Sequence, residues 1–305
     1  VYKTKGKVAD LEAYAADNIV IATGSKSRRL PVEGIDLEGV MTSRELLCID
    51  YVPKRLCVIG AGVIGVEFAS IFSRFGSEVT MIEYAKEILP PFDKDIAKRL
   101  RQVFVKSGIT VNTGAAVTRI ERREDFLQVF YEQKGKTMTV DADVVLVAVG
   151  RSACTDGLNL VSAGVDVSRV IPVDDNMQTN VEGIYAIGDV NGRQMLAHAA
   201  TFQGFRALHH ILGEKDEIRL DIIPAAVFCH PEVAMVGMTE EECKECGKEI
   251  AVGKSFFRAN GKALSMGETE GYCKLIAERE SGRILGCHIF GAHSADLIQE
   301  VAVLM

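Results

Sequence analysis

Three glycines and one acid carry the clearest chemistry in this chain. Gly60-Ala61-Gly62-Val63-Ile64-Gly65 follows directly on the apolar run Leu56 to Ile59, and Glu83 closes a second β-rich run that starts at Glu78. Between them lies a helical pattern ending at Gly76. A strand, glycine turn, helix and strand in this order suit a dinucleotide. The first glycine permits the tight turn, the second lets backbone approach a pyrophosphate, and the third lets the helix lie close to the strand. The helix start adds unpaired N–H groups and the positive dipole end. Glu83 stands where a carboxylate accepts hydrogen bonds from an adenosine ribose 2′-OH and repels a 2′-phosphate, so NAD is favoured over NADP. The triplet alone would equally fit any close strand-to-helix packing; the flanking strands and the terminal acid select the dinucleotide. Glu67, two residues past Gly65, reads as a first-turn acid compatible with the dipole.

Other reactive side chains point nowhere so clearly. The eight cysteines, at positions 48, 57, 154, 229, 243, 246, 273 and 287, fall partly inside apolar runs and read as reduced, mostly buried thiols, not a disulfide framework. Cys243 and Cys246 are the only close pair; a helix capped by Thr239 would set them one turn apart among glutamates that raise thiol pKa. No second pair or histidine completes a metal site there, and the six histidines show no ligand spacing, so no metal is expected.

The elements that must position these residues belong to a globular chain. At 305 residues it is long enough for two or three domains, and 48% apolar with 25% charged residues is an ordinary soluble composition. A net charge of −7 and a pI near 5.5 argue against nucleic acid or an anionic membrane as partner. No apolar run approaches the roughly 18 residues of a membrane span, and the opening VYKTKGKVAD has no apolar signal region. A cytoplasmic location is the expectation.

Along the chain, Asn18 to Ser25 is an apolar strand leaving into a small-residue turn at Thr23-Gly24, and Tyr51-Val52-Pro53 is a linker. After Glu83, Pro90 and Pro91 break the chain, and Asp93 caps a helix whose apolar face is Ile96, Leu100, Val103 and Phe104. Three β-rich runs (116–120, 126–133 and 136–140) make an antiparallel meander turning at Lys134-Gly135. The run from Asp143 to Val149 has the wholly apolar VVLVAV at its core, as in a strand buried on both faces, and ends in Gly150-Arg151. Residues 53 to 151 therefore form one nucleotide-binding domain. Further on, Ile184 to Ile187 delivers Gly188 and Asp189 to the C-terminal end of a strand, where open α/β sheets bind ligands; a turn aspartate capping the helix from Leu196 to Leu212 is the equal alternative. From Asp221 short strands predict an α+β domain with an antiparallel sheet, whose exposed face suits subunit contact.

In this order the glycine turn with Val66-Glu67, Ala22-Thr23-Gly24, the phrase from Thr179 to Asp189, Leu196-Ala197-His198 and His230-Pro231-Glu232-Val233-Ala234 resemble the FAD-dependent pyridine nucleotide–disulfide oxidoreductases. Met266 to Gly271, Gly282 to Gly286 and the acidic Glu83 are most similar to its dihydrolipoyl dehydrogenase branch. The resemblance covers essentially the whole chain. It implies an α/β Rossmann-like NAD-binding domain (53–151), parts of a FAD-binding α/β domain (1–52 and 152–220), and a C-terminal α+β dimerisation domain (221–305). It further implies NAD at Gly60, Gly62, Gly65, Glu67, Glu83 and Gly150, and FAD beside Thr23, Gly24, Arg151, Gly188, Asp189, Leu196, Ala197 and His198. Glu67 would support the nicotinamide and flavin. The implied partners are a second copy of the chain and the lipoyl domains of a 2-oxo acid dehydrogenase complex.

Departures from the family's pattern shape the remaining expectations. Its opening FAD-binding glycine turn, redox-active cysteine pair four residues apart, following lysine and closing His-Pro…Glu phrase have no counterpart in this sequence. The chain is therefore expected to be an internal fragment that keeps NAD binding and dimerisation, has no catalytic residue of its own and holds FAD weakly. Ser152-Ala153-Cys154 replaces the Pro-Asn that commonly follows Arg151 in the family, and Gln203 stands where many members have Glu. A fragment of a sister enzyme, such as a soluble transhydrogenase or mercuric reductase, and a non-catalytic binding module are the competing readings.

Overall fold

A computed structural model describes residues 2–3 and 12–305, with side chains from residue 14 onward. The opening VYKTKGKVAD, read above for a signal region, lies outside the described residues apart from Tyr2 and Lys3. The chain divides into two compact units, residues 1–26 with 151–220 and residues 27–150 with 221–305. No helix among the described residues is long and apolar enough to cross a membrane.

In the larger unit the first half is a wound parallel sheet. β1 (Val40–Met41), β2 (Arg55–Ile59), α1 (Val63–Arg74), β3 (Glu78–Glu83), α2 (Lys94–Lys106) and β4 (Thr110–Thr113) come first in the chain. The meander follows as β5 (Ala115–Arg122), β6 (Leu127–Gln133) and β7 (Lys136–Ala142), and then β8 (Val144–Val147). The sheet order is β1-β8-β2-β3-β4, and every pairing within it is parallel. All four residues of β8 are buried, as continuous apolar character in a central parallel strand requires. α2 buries Ile96, Ala97, Leu100 and Phe104, and the Asp93 carboxylate caps it by accepting from the Asp95 amide at 3.1 Å. The meander is antiparallel in the order β7-β6-β5. Lys134 and Gly135 both take positive φ (52° and 73°), the two-residue turn whose twist matches paired strands. The edge strands β1 and β4 have no counterpart in the sequence reading: one is two residues long, and the other, TVNT, is largely polar.

The second half of this unit is an antiparallel sheet. It comprises β9 (Ala225–Val227), β10 (Val233–Gly237), α3 (Glu240–Glu245), β11 (Ile250–Phe256), β12 (Tyr272–Glu278), β13 (Ile284–Phe290) and α4 (Ser294–Leu304). The strand order is β9-β10-β13-β12-β11. Thr239 and Glu242 form the capping box of α3. Two short helices, Ser43–Leu46 and Gly261–Met266, were not anticipated, being only four and six residues long. At β13 the sheet is covered on both sides, with six of seven residues buried, one face under α4 and the other against the parallel half. The open face expected from the sequence is narrowed to β12, whose Cys273, Leu275 and Ala277 are partly exposed, and to β11. Exposure concentrates on the edge strand β11, where six of seven residues are exposed.

One core cluster joins the halves, with Val227, Val233, Tyr272 and Phe290 packed together with residues of β2, α1, β3 and α2. At the same seam Lys274 of β12 is fully buried, its Nζ 2.8 Å from Asp93, 2.7 Å from Glu240 and 3.2 Å from Asp95. Burial works against the lysine's charge, but the carboxylates of Asp93, Glu240 and Asp95 overcome it and hold its pKa above the ordinary lysine value. Removing one partner of such a cluster leaves a buried charge uncompensated, which typically costs about 3–5 kcal/mol. Lys274→Ala should therefore lower unfolding stability by about that amount, and adding Asp93→Asn should recover part of it. Denaturant melts of the three proteins check this; equal stability of Lys274→Ala and wild type would refute it.

The smaller unit pairs Ile19–Ile21 in parallel with Ile184–Ala186. Ser25–Ser27 pairs with Arg151–Ala153, a 3₁₀ turn spans Gly188–Asn191, and a long helix spans Ala197–Leu212. Its core is Ile21, Ala153, Leu160, Val165, Ile171, Ala186 and Val190.

Candidate functional site

The glycine turn leaves β2 and enters α1 with a different constraint at each glycine. Gly60 has φ +99°, and an added Cβ would collide with the Ala148 carbonyl just past β8. At Gly65 an added Cβ would collide with the Gly60 carbonyl and lie 3.2 Å from Val58, so the helix start rests directly on the turn and strand. At Gly62 nothing lies within 4 Å of the Cβ position. The turn thus has packed sides and an open floor, with no side-chain cap on α1 to use its first N–H groups. That is a fit for a pyrophosphate. Gly150, φ +100°, follows β8 and accepts a hydrogen bond from the Arg28 amide at 3.0 Å.

Glu83 is buried, and its two oxygens accept from the amides of Ala61 (2.5 Å) and Ala85 (2.6 Å). The sequence assigned it to a ribose alone; the structure adds that it pins the turn. Each oxygen keeps a lone pair for a further donor. From the other side the Leu89 amide donates to the Ala61 carbonyl at 2.8 Å, with Leu89 fully buried at φ +47°.

Glu67 is the fifth residue of α1, beyond the first turn where the sequence placed it, so the dipole argument weakens. Its partner is the Phe228 amide at 2.8 Å, which the sequence could not show because 161 residues separate them. The neighbouring Ser70 hydroxyl accepts from the His230 amide at 2.9 Å, so one face of α1 holds the segment between β9 and β10. Burial raises the Glu67 pKa, and the Phe228 amide offsets part of the rise.

In the smaller unit five of the expected residues meet. Thr23 donates to the Cys154 carbonyl at 2.6 Å, and the Cys154 amide donates to Gly24 at 2.9 Å. Ser25 donates to Asp189, while Arg151 donates to the Ser25 hydroxyl at 2.6 Å and its carbonyl at 2.8 Å and stands 3.8 Å from Asp189. Ser25, not singled out from the sequence, is the hub of this cluster. Gln203 is buried, and its side-chain oxygen accepts from the Gly188 amide and the Asn191 side chain, both at 2.8 Å. An acceptor is all these donors need, so Gln serves there as Glu would. Leu196 is the N-cap of the long helix, and Ala197 and His198 are its first residues. The site thus offers a carboxylate braced by an arginine, and a helix start free of side-chain caps.

The cysteines need one correction. Burial is the first cause of the raised Cys243 pKa, with the glutamates secondary. Cys57, Cys229, Cys243 and Cys287 are buried, whereas Cys48 and Cys246 are exposed.

Comparison with known proteins agrees with this geometry. Residues 1–204 match the family described as pyridine nucleotide-disulphide oxidoreductase, and residues 223–305 match its dimerisation domain. The chain belongs to this family of flavoprotein oxidoreductases. Leghemoglobin reductase of Glycine max is 40% identical over 292 residues, covering 94% of this chain and 56% of that protein. Mitochondrial dihydrolipoyl dehydrogenase of Pisum sativum is 40% identical, covering 94% and 58%; dihydrolipoyl dehydrogenase of Bacillus subtilis is 40% identical, covering 96% and 63%. The crystal structure of LpdA from Mycobacterium tuberculosis superposes with a TM-score of 0.89 at 30% identity, over 97% of this chain and 64% of that one. The HOCl-induced flavoprotein disulfide reductase RclA from Escherichia coli gives 0.86 at 33% identity, over 94% and 66%. The chain spans about three-fifths of the length of the curated relatives it matches.

The raised pKa of Glu67 has a definite sign. The carboxyl ionises more readily in the unfolded chain, so its contribution to stability is fully present below the unfolded value, near 4.3, and is lost as pH rises through the higher folded value. Gln keeps the acceptor for Phe228 without a charge. Glu67→Gln should be neutral or mildly stabilising at neutral pH, with the difference from wild type vanishing below about pH 4. Thermal melts across that window check it; a loss above about 1 kcal/mol at neutral pH would overturn it.

Proposed function

We propose that this chain is the NAD-binding and subunit-pairing part of a dihydrolipoyl dehydrogenase. The observation that carries the reading is the buried Glu83 carboxylate held against a glycine turn whose floor at Gly62 is open. The 40% identity to dihydrolipoyl dehydrogenases from two organisms supports the branch. In this reading the NAD domain is wider than the 53–151 expected from the sequence and takes in residues 27–52, because β1 pairs with β8 in its sheet; 1–26 and 151–220 belong to a FAD domain, and 221–305 pair with a second copy.

Gly60, Gly62 and Gly65 shape the pyrophosphate cradle, and the first N–H groups of α1 face its charge. Glu83 takes the ribose hydroxyl while keeping its grip on Ala61 and Ala85. Gly150, without a side chain, borders the nicotinamide half, and Glu67 supports that half. In the smaller unit Asp189, oriented by Ser25 and Arg151, offers its carboxylate to the hydroxyls of FAD, with Thr23, Gly24, Gly188 and the Leu196-Ala197-His198 helix start lining its path. Bound FAD supplies the hydride and electron chemistry; the protein supplies orientation and polarity. The substrate of the whole enzyme is dihydrolipoamide, presented by lipoyl domains of a 2-oxo acid dehydrogenase complex.

Glu83 should favour NAD over NADP by tenfold or more, or about 1.4 kcal/mol. Glu83→Ala should shrink that ratio and also weaken NAD, because the Ala61 amide loses its anchor. Calorimetric titration of both proteins with both nucleotides checks this, and equal wild-type affinities would count against it. None of the eight cysteines has the spacing of the family's exchanging pair. The purified 305-residue chain should therefore form no NADH from NAD and dihydrolipoamide, and sustained lipoamide-dependent turnover would refute that expectation.

A further inference from the structure

On the α4 side of the antiparallel sheet two thiols face each other. Cys273 of β12 and Cys287 of β13 bring their sulfurs to 3.6 Å. Cys273 lies opposite Ile289 and Cys287 opposite Leu275, so the two are diagonal neighbours on one face. Both pack in the apolar cluster with Ala234, Val236 and Ile298. They are not equivalent, for Cys287 is buried and Cys273 is partly exposed.

We propose that Cys273 and Cys287 form a reversible oxidation site, with Cys273 the peroxide-reactive thiol and Cys287 the partner that closes a disulfide across β12 and β13. The Cys273 sulfur attacks one oxygen of hydrogen peroxide, the O–O bond breaks, and the departing hydroxide leaves as water with the thiol proton. Cys273 is then a sulfenic acid. The Cys287 sulfur attacks it, the S–S bond forms, the S–O bond breaks, and the hydroxyl leaves as a second water with the Cys287 proton. Two thiols lose two protons and two electrons, and one peroxide takes them up to become two waters. A dithiol reductant reverses the bond by thiolate exchange.

Geometry and charge assign the roles alike. Closing the bond draws the sulfurs together by about 1.5 Å from their present separation. The hydrogen bond from the Cys287 thiol lowers the pKa of Cys273, and the same bond raises that of Cys287, so the thiolate forms on the accessible sulfur and the proton stays on the buried one. By contrast Cys57 is sealed in the core with its thiol pushed up to about 12, and it has no such role.

The test is peptide mapping of the chain after one molar equivalent of hydrogen peroxide and alkylation. Lys274, Arg279 and Arg283 lie between the two cysteines, so trypsin separates them unless they are bonded. The expected result is a cross-linked peptide pair, lighter by two hydrogens, that dithiothreitol splits. Cys287→Ser should lose the cross-link and leave Cys273 trapped by dimedone; Cys273→Ser should lose both signals while alkylation of the exposed Cys48 and Cys246 stays unchanged. Two results overturn the proposal in the wild-type chain itself: Cys273 still free after peroxide, or Cys273 oxidised while Cys287 stays unbonded.

Discussion

The hydrogen bonds from the Ala61 and Ala85 amides to Glu83 tie the glycine turn to the end of β3. A carboxylate taken out of water must find compensating donors, and here they come from the backbone the acid helps to shape. The turn cannot relax away from β3 without stranding a buried charge, and β3 cannot shift without opening the turn. Gly65 resting on Gly60, and Gly60 on Ala148, close the same loop from the α1 and β8 sides. Under the proposed NAD role, the side chain that holds the turn is also the one that would meet the ribose.

A second set of charges joins the parallel and antiparallel halves of the larger unit. Lys274 brings Asp93, the cap of α2, and Glu240, in the first turn of α3, to one buried point. Glu67 reaches from α1 to the Phe228 amide near β9. Such contacts contribute less to net stability than an apolar core of equal volume would, and their cost when broken is what makes them selective.

Much of this was legible in order along the chain. The continuous apolar run at β8, the alternating runs of the meander and the Thr239-to-Glu242 cap each carry a local physical signature, and each element lies where that signature puts it. What escaped was set by partners distant in sequence. Glu67 takes its donor from Phe228, in the loop after β9, 161 residues away. Ser25 becomes a hub only once Arg151 and Asp189 converge on it. The polar TVNT of β4 is a strand because β3 offers it an edge, not because of its own pattern. Cys273 and Cys287 are 14 residues apart and become neighbours only once the register of β12 on β13 is known.

That register has its own keeper. Side chains alternate along a strand, so sliding β12 by one residue against β13 would keep most backbone pairing while turning every side chain to the opposite face. Lys274 would then leave its three carboxylates and enter the apolar layer beneath α4, among Ile289 and Ile298, where an ammonium has no counter-ion. A strand with apolar residues on both faces would tolerate the slip; this one does not, because a single amine marks which side is which. Folding proofreads β12 by charge, and the alignment so enforced is the one that sets the two thiols side by side.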